Sequence, residues 1–202
     1  MIKYSLAALA LVATPALAQE GRPFGGFYAG ANVGYDHVIL SGFGTSGAKD
    51  GVVFSAVGGY DANLGSAIVG VEAELGGSSA KDREANIYTA GDSGEVKAAR
   101  DIYFGARAGL LATPETLVYV KGGYVNGRIN INYTSPTPGN SFSAGSSVDG
   151  FRVGAGVEQA FGPFKARFEY RYSDYGQFSY AGTPLGIDMK RHQVVAGLFA
   201  NF

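Results

Sequence analysis

The chain predicts an all-β fold, an eight-stranded antiparallel up-and-down transmembrane β-barrel, and three observations carry that expectation. Apolar and polar residues alternate with period two in eight separate segments, the mark of strands with one face in an apolar medium. The connections between those segments run long, short, long, short, long, short, long. Membrane barrels show that rhythm, with short turns on one side and long loops on the other. The last alternating segment ends on Phe202 with no polar tail, an odd place for an aromatic in a water-soluble barrel.

Residues 1–18 read as a secretory signal peptide, with Lys3, an apolar run Leu6–Ala13 and the small-residue pattern Ala16-Leu17-Ala18 before Gln19. Its core is too short to span a bilayer. Residues 19–202 then form one barrel domain. The absence of cysteine excludes disulfides and thiolate metal sites. Sixteen basic against seventeen acidic residues give no pull toward nucleic acid. The 32 glycines would suit disorder, but 13 Tyr and 13 Phe are too many aromatics for a chain that fails to fold. Beyond the leader no apolar run reaches the roughly 18 residues of a membrane helix, so a spanning chain must span with strands.

The clearest strand is the seventh. Phe164, Ala166, Phe168, Tyr170 and Tyr172 share one face, and Lys165, Arg167, Glu169, Arg171 and Ser173 the other, a sorting that no helix produces. In chain order the other apolar faces are Phe27–Tyr35, Val52–Tyr60, Ala67–Leu75, Ile102–Leu110, Val118–Tyr124, Phe151–Val157 and Val194–Phe202, each taken at every second residue. The second and fifth are the weakest, because Val53, Val57 and Val125 fall on the polar side. Long loops are expected at 37–49, 77–97, 126–148 and 174–188, and tight turns at 61–66, 112–115 and 160–163.

Alternation is symmetric, so a soluble barrel holding a small ligand would show the same pattern with the apolar faces inward. The loop rhythm, the terminal Phe202 and the gathering of aromatics toward strand ends favour lipid outside, with interfacial girdles. Eight strands enclose a lumen that side chains fill. The inward set is Glu72, Glu74, Arg107, Lys121, Arg152, Glu158, Lys165, Arg167, Glu169, Arg171 and Arg191, with Asp36 and Asp101 nearby. Buried charges persist only when paired, so these are expected to form an ion-pair network closing the lumen. Inward glycines such as Gly30, Gly34, Gly70, Gly105, Gly109, Gly154, Gly156 and Gly197 are expected to make room for the charged chains.

FYAGANVGY near residue 27, FKARFEYRYSDYG from Phe164 and HQVVAGLFANF at the end resemble the Omp25/Omp31-type outer-membrane proteins of alphaproteobacteria, related to the opacity proteins and the OmpA membrane domain. The resemblance implies an eight-stranded barrel in the cell outer membrane, surface exposure, and a role in envelope integrity or host contact. Asn201 departs from it, standing where a basic residue often precedes the terminal Phe, and the loops match poorly.

Val194, Ala196, Leu198, Ala200 and Phe202 resemble the signal read by the barrel-assembly machinery. His37 and His192, the two histidines of the chain, are placed outward near the external rim on neighbouring strands. With Lys190 they are candidates for contact with lipopolysaccharide phosphates, set against plain interfacial histidines. A lipid A-modifying enzyme would need such a His beside a Ser and an acid; Ser41 is near only in sequence, and no catalytic residue, cofactor or metal is expected. A small diffusion pore is the remaining alternative. The sequon Asn132-Tyr133-Thr134 and the spaced Gly105 and Gly109 lack the context that would make them sites.

Overall fold

The structure is a computed structural model, described for residues 23–42, 45–79, 81–85, 91–137, 140–180 and 183–202. The expected leader lies outside the described residues. Among the described residues there are nine strands: β1 (Gly26–Gly42), β2 (Thr45–Asn63), β3 (Ala67–Ser78), β4 (Lys81–Ala85), β5 (Ser93–Thr113), β6 (Thr116–Thr134), β7 (Phe142–Phe161), β8 (Phe164–Tyr180) and β9 (Thr183–Asn201). All pairings are antiparallel; β9 pairs with β1, and β3 with β5. Those two pairings close eight strands into a barrel, with β4 as a short ribbon on the far end of β5. Closure leaves no edge in the eight-strand barrel itself, which is what a strand protein in hydrocarbon requires.

Three tight turns mark one end. Gly65 has φ +96° and receives Asn63 Oδ1 on its N–H at 2.9 Å; Gly162 has φ +59° between Phe161 and Phe164. Thr113 Oγ1 accepts from the Glu115 N–H at 3.3 Å. The last strand is tied in by Phe202 N–H donating to Phe27 O at 2.8 Å and Asn201 N–H to Pro163 O at 3.0 Å.

At the other end the structure departs from the expected loops. β1 runs on to Gly42, β2 starts at Thr45, β6 reaches Thr134, and β8 and β9 approach within two residues of each other. Most of the segments expected as loops are therefore paired hairpins. A spanning strand needs about 9–11 residues, yet β5, β6 and β7 have 21, 19 and 20. The excess projects beyond the membrane, where water meets the outer face and apolar alternation is not required. That is why the pattern faded while the strands continued.

The distribution of side chains is inside-out relative to a soluble protein. Phe27 (66 % exposed), Phe104 (61 %), Val120 (60 %), Phe168 (62 %) and Leu198 (60 %) stand outward, while Arg107, Arg152, Glu158, Lys165 and Glu169 are buried. The odd residues of β1 and β7 and the even residues of β5, β6, β8 and β9 form the apolar exterior. Val53, Val57 and Val125 do point inward and are buried there. Aromatic girdles bound the band. Phe27 and Tyr60 meet edge-to-face at 4.9 Å at the turn end, and Phe151 and Tyr172 at 6.3 Å at the hairpin end. Phe27 and Tyr35 are eight residues apart on β1. That is about 26 Å along the strand and ~20 Å along the axis at a typical tilt, close to the roughly 25 Å apolar band of such barrels.

Candidate functional site

The lumen is the most densely organised part of the molecule. All eleven charged residues expected inside are buried there, joined by Asp36, Asp61 and Asp101. The cluster therefore holds seven cations and seven carboxylates among the described residues, and is formally neutral. Asp61 corrects the sequence reading, which put it in a turn. It lies on β2 opposite Gly26, because β2 extends to Asn63 before turning.

The turn end has an apolar floor of Phe24, Ile68, Leu117, Tyr119 and Ala160. Phe24 enters from the segment before β1 and is held by Asn63 Nδ2 donating to its carbonyl at 2.6 Å. Directly above, Arg107 donates from Nε and Nη2 to Asp61 at 2.8 and 2.6 Å, and from Nη1 to Glu158 at 2.6 Å. Arg167 bridges Glu158 (2.8 Å) and Glu72 (2.7 Å). Lys121 reaches Glu72 at 2.7 Å and Glu169 at 2.9 Å, and also contacts Glu74, which Arg171 binds at 2.5 Å. Higher still, Asp101 lies 2.9 Å from Arg152 and 3.0 Å from Arg191, and Asp36 accepts from Arg191 at 2.6 Å and from Gln193 at 3.0 Å. Val38, Tyr103, Val125, Val148, Tyr175 and Met189 form a second apolar layer toward the hairpin end.

Each ion is thus out of water but matched, the condition under which buried charge is tolerable. Lys165 is the exception. Its ammonium makes no hydrogen bond, stands 3.5 Å from Glu158 and 3.9 Å from Asp61, and rests 4.3 Å above the Tyr28 ring. Tyrosines complete the carboxylates' shells: Tyr28 donates to Glu72 at 2.8 Å, Tyr175 to Asp101 at 2.5 Å, and Tyr119 to Glu169.

The inward glycines serve these rings more than the charges. A Cβ on Gly105 would lie 2.2 Å from the Tyr103 hydroxyl, one on Gly156 2.8 Å from that of Tyr119, and one on Gly30 2.6 Å from Phe199 Cδ1. Gly154, facing Lys121 at 3.3 Å, and Gly70, 2.3 Å from Asp61 Oδ1, fit the original expectation. The sequence carried a signal for part of the ring-facing role: Tyr28 and Tyr103 have inward parity two residues from a glycine, Gly30 and Gly105, whereas the glycine facing Tyr119 is its cross-strand partner Gly156.

On the exterior, register pairs His37 directly with His192. His37 Nδ1 lies 2.6 Å from Asp50, which also accepts from the Tyr35 hydroxyl at 2.5 Å; His192 Nδ1 lies 2.7 Å from the Tyr170 hydroxyl. Lys190 is exposed opposite Ile39. Ser41 is four residues beyond His37 on the same strand, about 13 Å away, so these two do not pair as the Ser and His of a triad. No group of three metal-ligating side chains occurs among the described residues. Of the terminal-strand residues, Val194, Leu198 and Phe202 are exposed at 37 %, 60 % and 42 %, on the lipid-facing side.

Two solved barrels share this plan. Neisserial surface protein A superposes with a TM-score of 0.56 at 16 % identity, covering 87 % of this chain and 97 % of that one. Ail, the attachment invasion locus protein of Yersinia pestis, solved in complex with the heparin analogue sucrose octasulfate, gives 0.51 at 14 %, covering 86 % and 99 %. No curated protein sequence matches the chain. The family model described as the outer membrane protein beta-barrel domain matches residues 4–202. The chain, a closed eight-stranded barrel with an apolar exterior and an ionic interior, belongs to that family as a β-barrel of the bacterial outer membrane.

Proposed function

We propose that this barrel is a structural and surface-contact protein of the envelope whose lumen does not conduct. One observation carries the reading: seven cations and seven carboxylates interlock across the lumen between two apolar layers. A passing ion would have to displace hydrogen-bonded charges that have no water to fall back on. Export by cleavage after Ala18, a signal in Val194–Phe202 read by the assembly machinery, and termini on the periplasmic side complete the proposal. So does kinship with the Omp25/Omp31-type proteins.

The projecting hairpins would make the surface contacts; that Ail was solved with a heparin analogue supports looking for a surface ligand there. His37, His192 and Lys190 would meet lipopolysaccharide phosphates on the β1–β9 side, supported by the direct pairing of the two histidines. Planar-bilayer recording of the purified refolded barrel tests the central claim. No conductance steps are expected above leak, and steady steps would overturn it in favour of a small pore.

A further inference from the structure

The β5–β6 side of the barrel, across the lumen from β1, carries a pairing that antiparallel sheets ordinarily avoid. Arg100 and Arg128 are direct register partners, and both are exposed. Like charges placed opposite each other repel, with Cβ atoms about 4.5–5.5 Å apart. Among the described residues neither makes an ion pair: Arg100 has one hydrogen bond, from Nη2 to Asn126 Oδ1 at 3.0 Å, and Arg128 has none.

The pair is nevertheless built. The Asn126 amide is fixed by donating to Asp149 at 2.7 Å, and Asp149 also takes the Tyr124 hydroxyl. That chain of bonds ties the Arg100 guanidinium to the hairpin-end girdle. Arg128 lies across Gly145, where a Cβ would come within 3.0 Å of both its Nη2 and Asn130 Oδ1. Two forked donors, one oriented by an amide and one cleared by a glycine, remain open on the outer face.

Height selects the ligand. Arg128 lies four residues beyond Tyr124 on β6, about 13 Å along the strand and ~10 Å along the membrane normal. Long Arg side chains therefore end in or just above the headgroup layer of the outer leaflet. Further out on the same strands, Ser93, Glu95, Asn132 and Thr134 line a shallow depression of ≈ 140 Å³, polar and suited to sugar hydroxyls. Guanidinium forks match phosphate geometry. We propose that Arg100 and Arg128 together bind a phosphate of the outer leaflet's own phosphorylated glycolipid, with its sugars running outward along β5 and β6.

The test uses the mature barrel refolded in octyl glucoside micelles, titrated with bisphosphorylated lipid A and followed by 31P NMR. Arg128→Gln removes a side chain with no bond of its own, so it leaves the fold intact. Affinity is expected to fall roughly tenfold, and more for Arg100→Gln with Arg128→Gln, while the paired Lys variant retains most of it. Heat-modifiable gel migration verifies that each variant is folded. Enzymatically dephosphorylated lipid A is expected to bind no more tightly than the Gln variants bind the intact lipid, because it also loses any phosphate contact on the β1–β9 side, and inorganic phosphate to compete only at far higher concentration. Unchanged affinity in the Gln variants, equal binding of the dephosphorylated lipid, or equal competition by inorganic phosphate would each overturn the site. None of these results bears on conduction.

Discussion

Arg107 is the residue at which the lumen is most open to a quantitative test. Its guanidinium is 1 % exposed and makes four hydrogen bonds to two carboxylates, Asp61 and Glu158. In Arg107→Met the methionine keeps much of the volume and loses every bond. Glu158 retains Arg167 at 2.8 Å and Lys165 at 3.5 Å. Asp61 retains only Lys165, at 3.9 Å, too far for a hydrogen bond. The loss is therefore that of one charged carboxylate stranded in a dry interior, about 3–5 kcal/mol. Asp61→Asn alone strands half of the Arg107 fork and unbalances the lumen by one positive charge, and is expected to cost about the same. The double variant restores six cations to six carboxylates and should cost well under the sum, with a coupling of a few kcal/mol. Urea unfolding of the refolded barrel in lipid vesicles, read by circular dichroism, measures all three. Additive losses, or an Arg107→Met barrel as stable as the parent, would refute the claim that matched charge holds this lumen together.

Further outcomes are expected from the same geometry. Gly105→Ala places a methyl 2.4 Å from the Gly122 carbonyl and 2.2 Å from the Tyr103 hydroxyl, and should lower the unfolding free energy by at least about 1–3 kcal/mol in the same assay. Val120→Arg, on the lipid face of β6 at 60 % exposure, should cost about 2–4 kcal/mol in vesicles; tolerance there would contradict the assignment of that face to lipid. Phe202→Ala removes an exposed ring while the Phe202 N–H to Phe27 O bond remains available. It should slow insertion by purified assembly machinery and leave spontaneous folding into vesicles nearly unchanged. Mass spectrometry of protein exported to the outer membrane should find Gln19 as its first residue.

The barrel itself was legible because lipid imposes a one-residue rule on every spanning position, and Phe164 to Ser173 obeys it without exception. Legibility ended where that constraint does. Val38, Val148 and Tyr175 fell in expected loops, yet all three are buried in the apolar layer toward the hairpin end. Their strands run on past the membrane, where no outward apolar residue is needed to betray them. Asp61 was misplaced for a related reason. Asp followed closely by Asn and Gly looks like turn chemistry, but the turn uses Asn63 and Gly65, leaving Asp61 one step inside the barrel. Phe24 carried no periodic signal at all, since it belongs to no strand. What put it in the floor is a side-chain amide, Asn63, capturing its carbonyl.

The misplacement of Asp61 has a consequence for how the lumen works. With Asp36 and Asp101 beside the eleven alternating charges, the sequence leaves seven cations against six carboxylates, an interior with one cation unmatched. Asp61 removes that bias. The three aspartates sit at the ends of the cluster, Asp61 near the floor and Asp36 and Asp101 beneath the hairpin-end layer, so the cations on the central strands are matched in both directions. On the closed-lumen reading, opening a path means freeing at least one guanidinium from two carboxylates. At about 3–5 kcal/mol per freed pair, one such opening is populated at ~10⁻²–10⁻⁴, and the layers above and below Arg107 require further openings at the same moment. A single substitution such as Arg107→Met should then weaken the barrel without making it conduct, because Arg152, Arg171 and Arg191 still cross the lumen above it. Conductance arising from that one change would mean that the charges above Arg107 do not block the path.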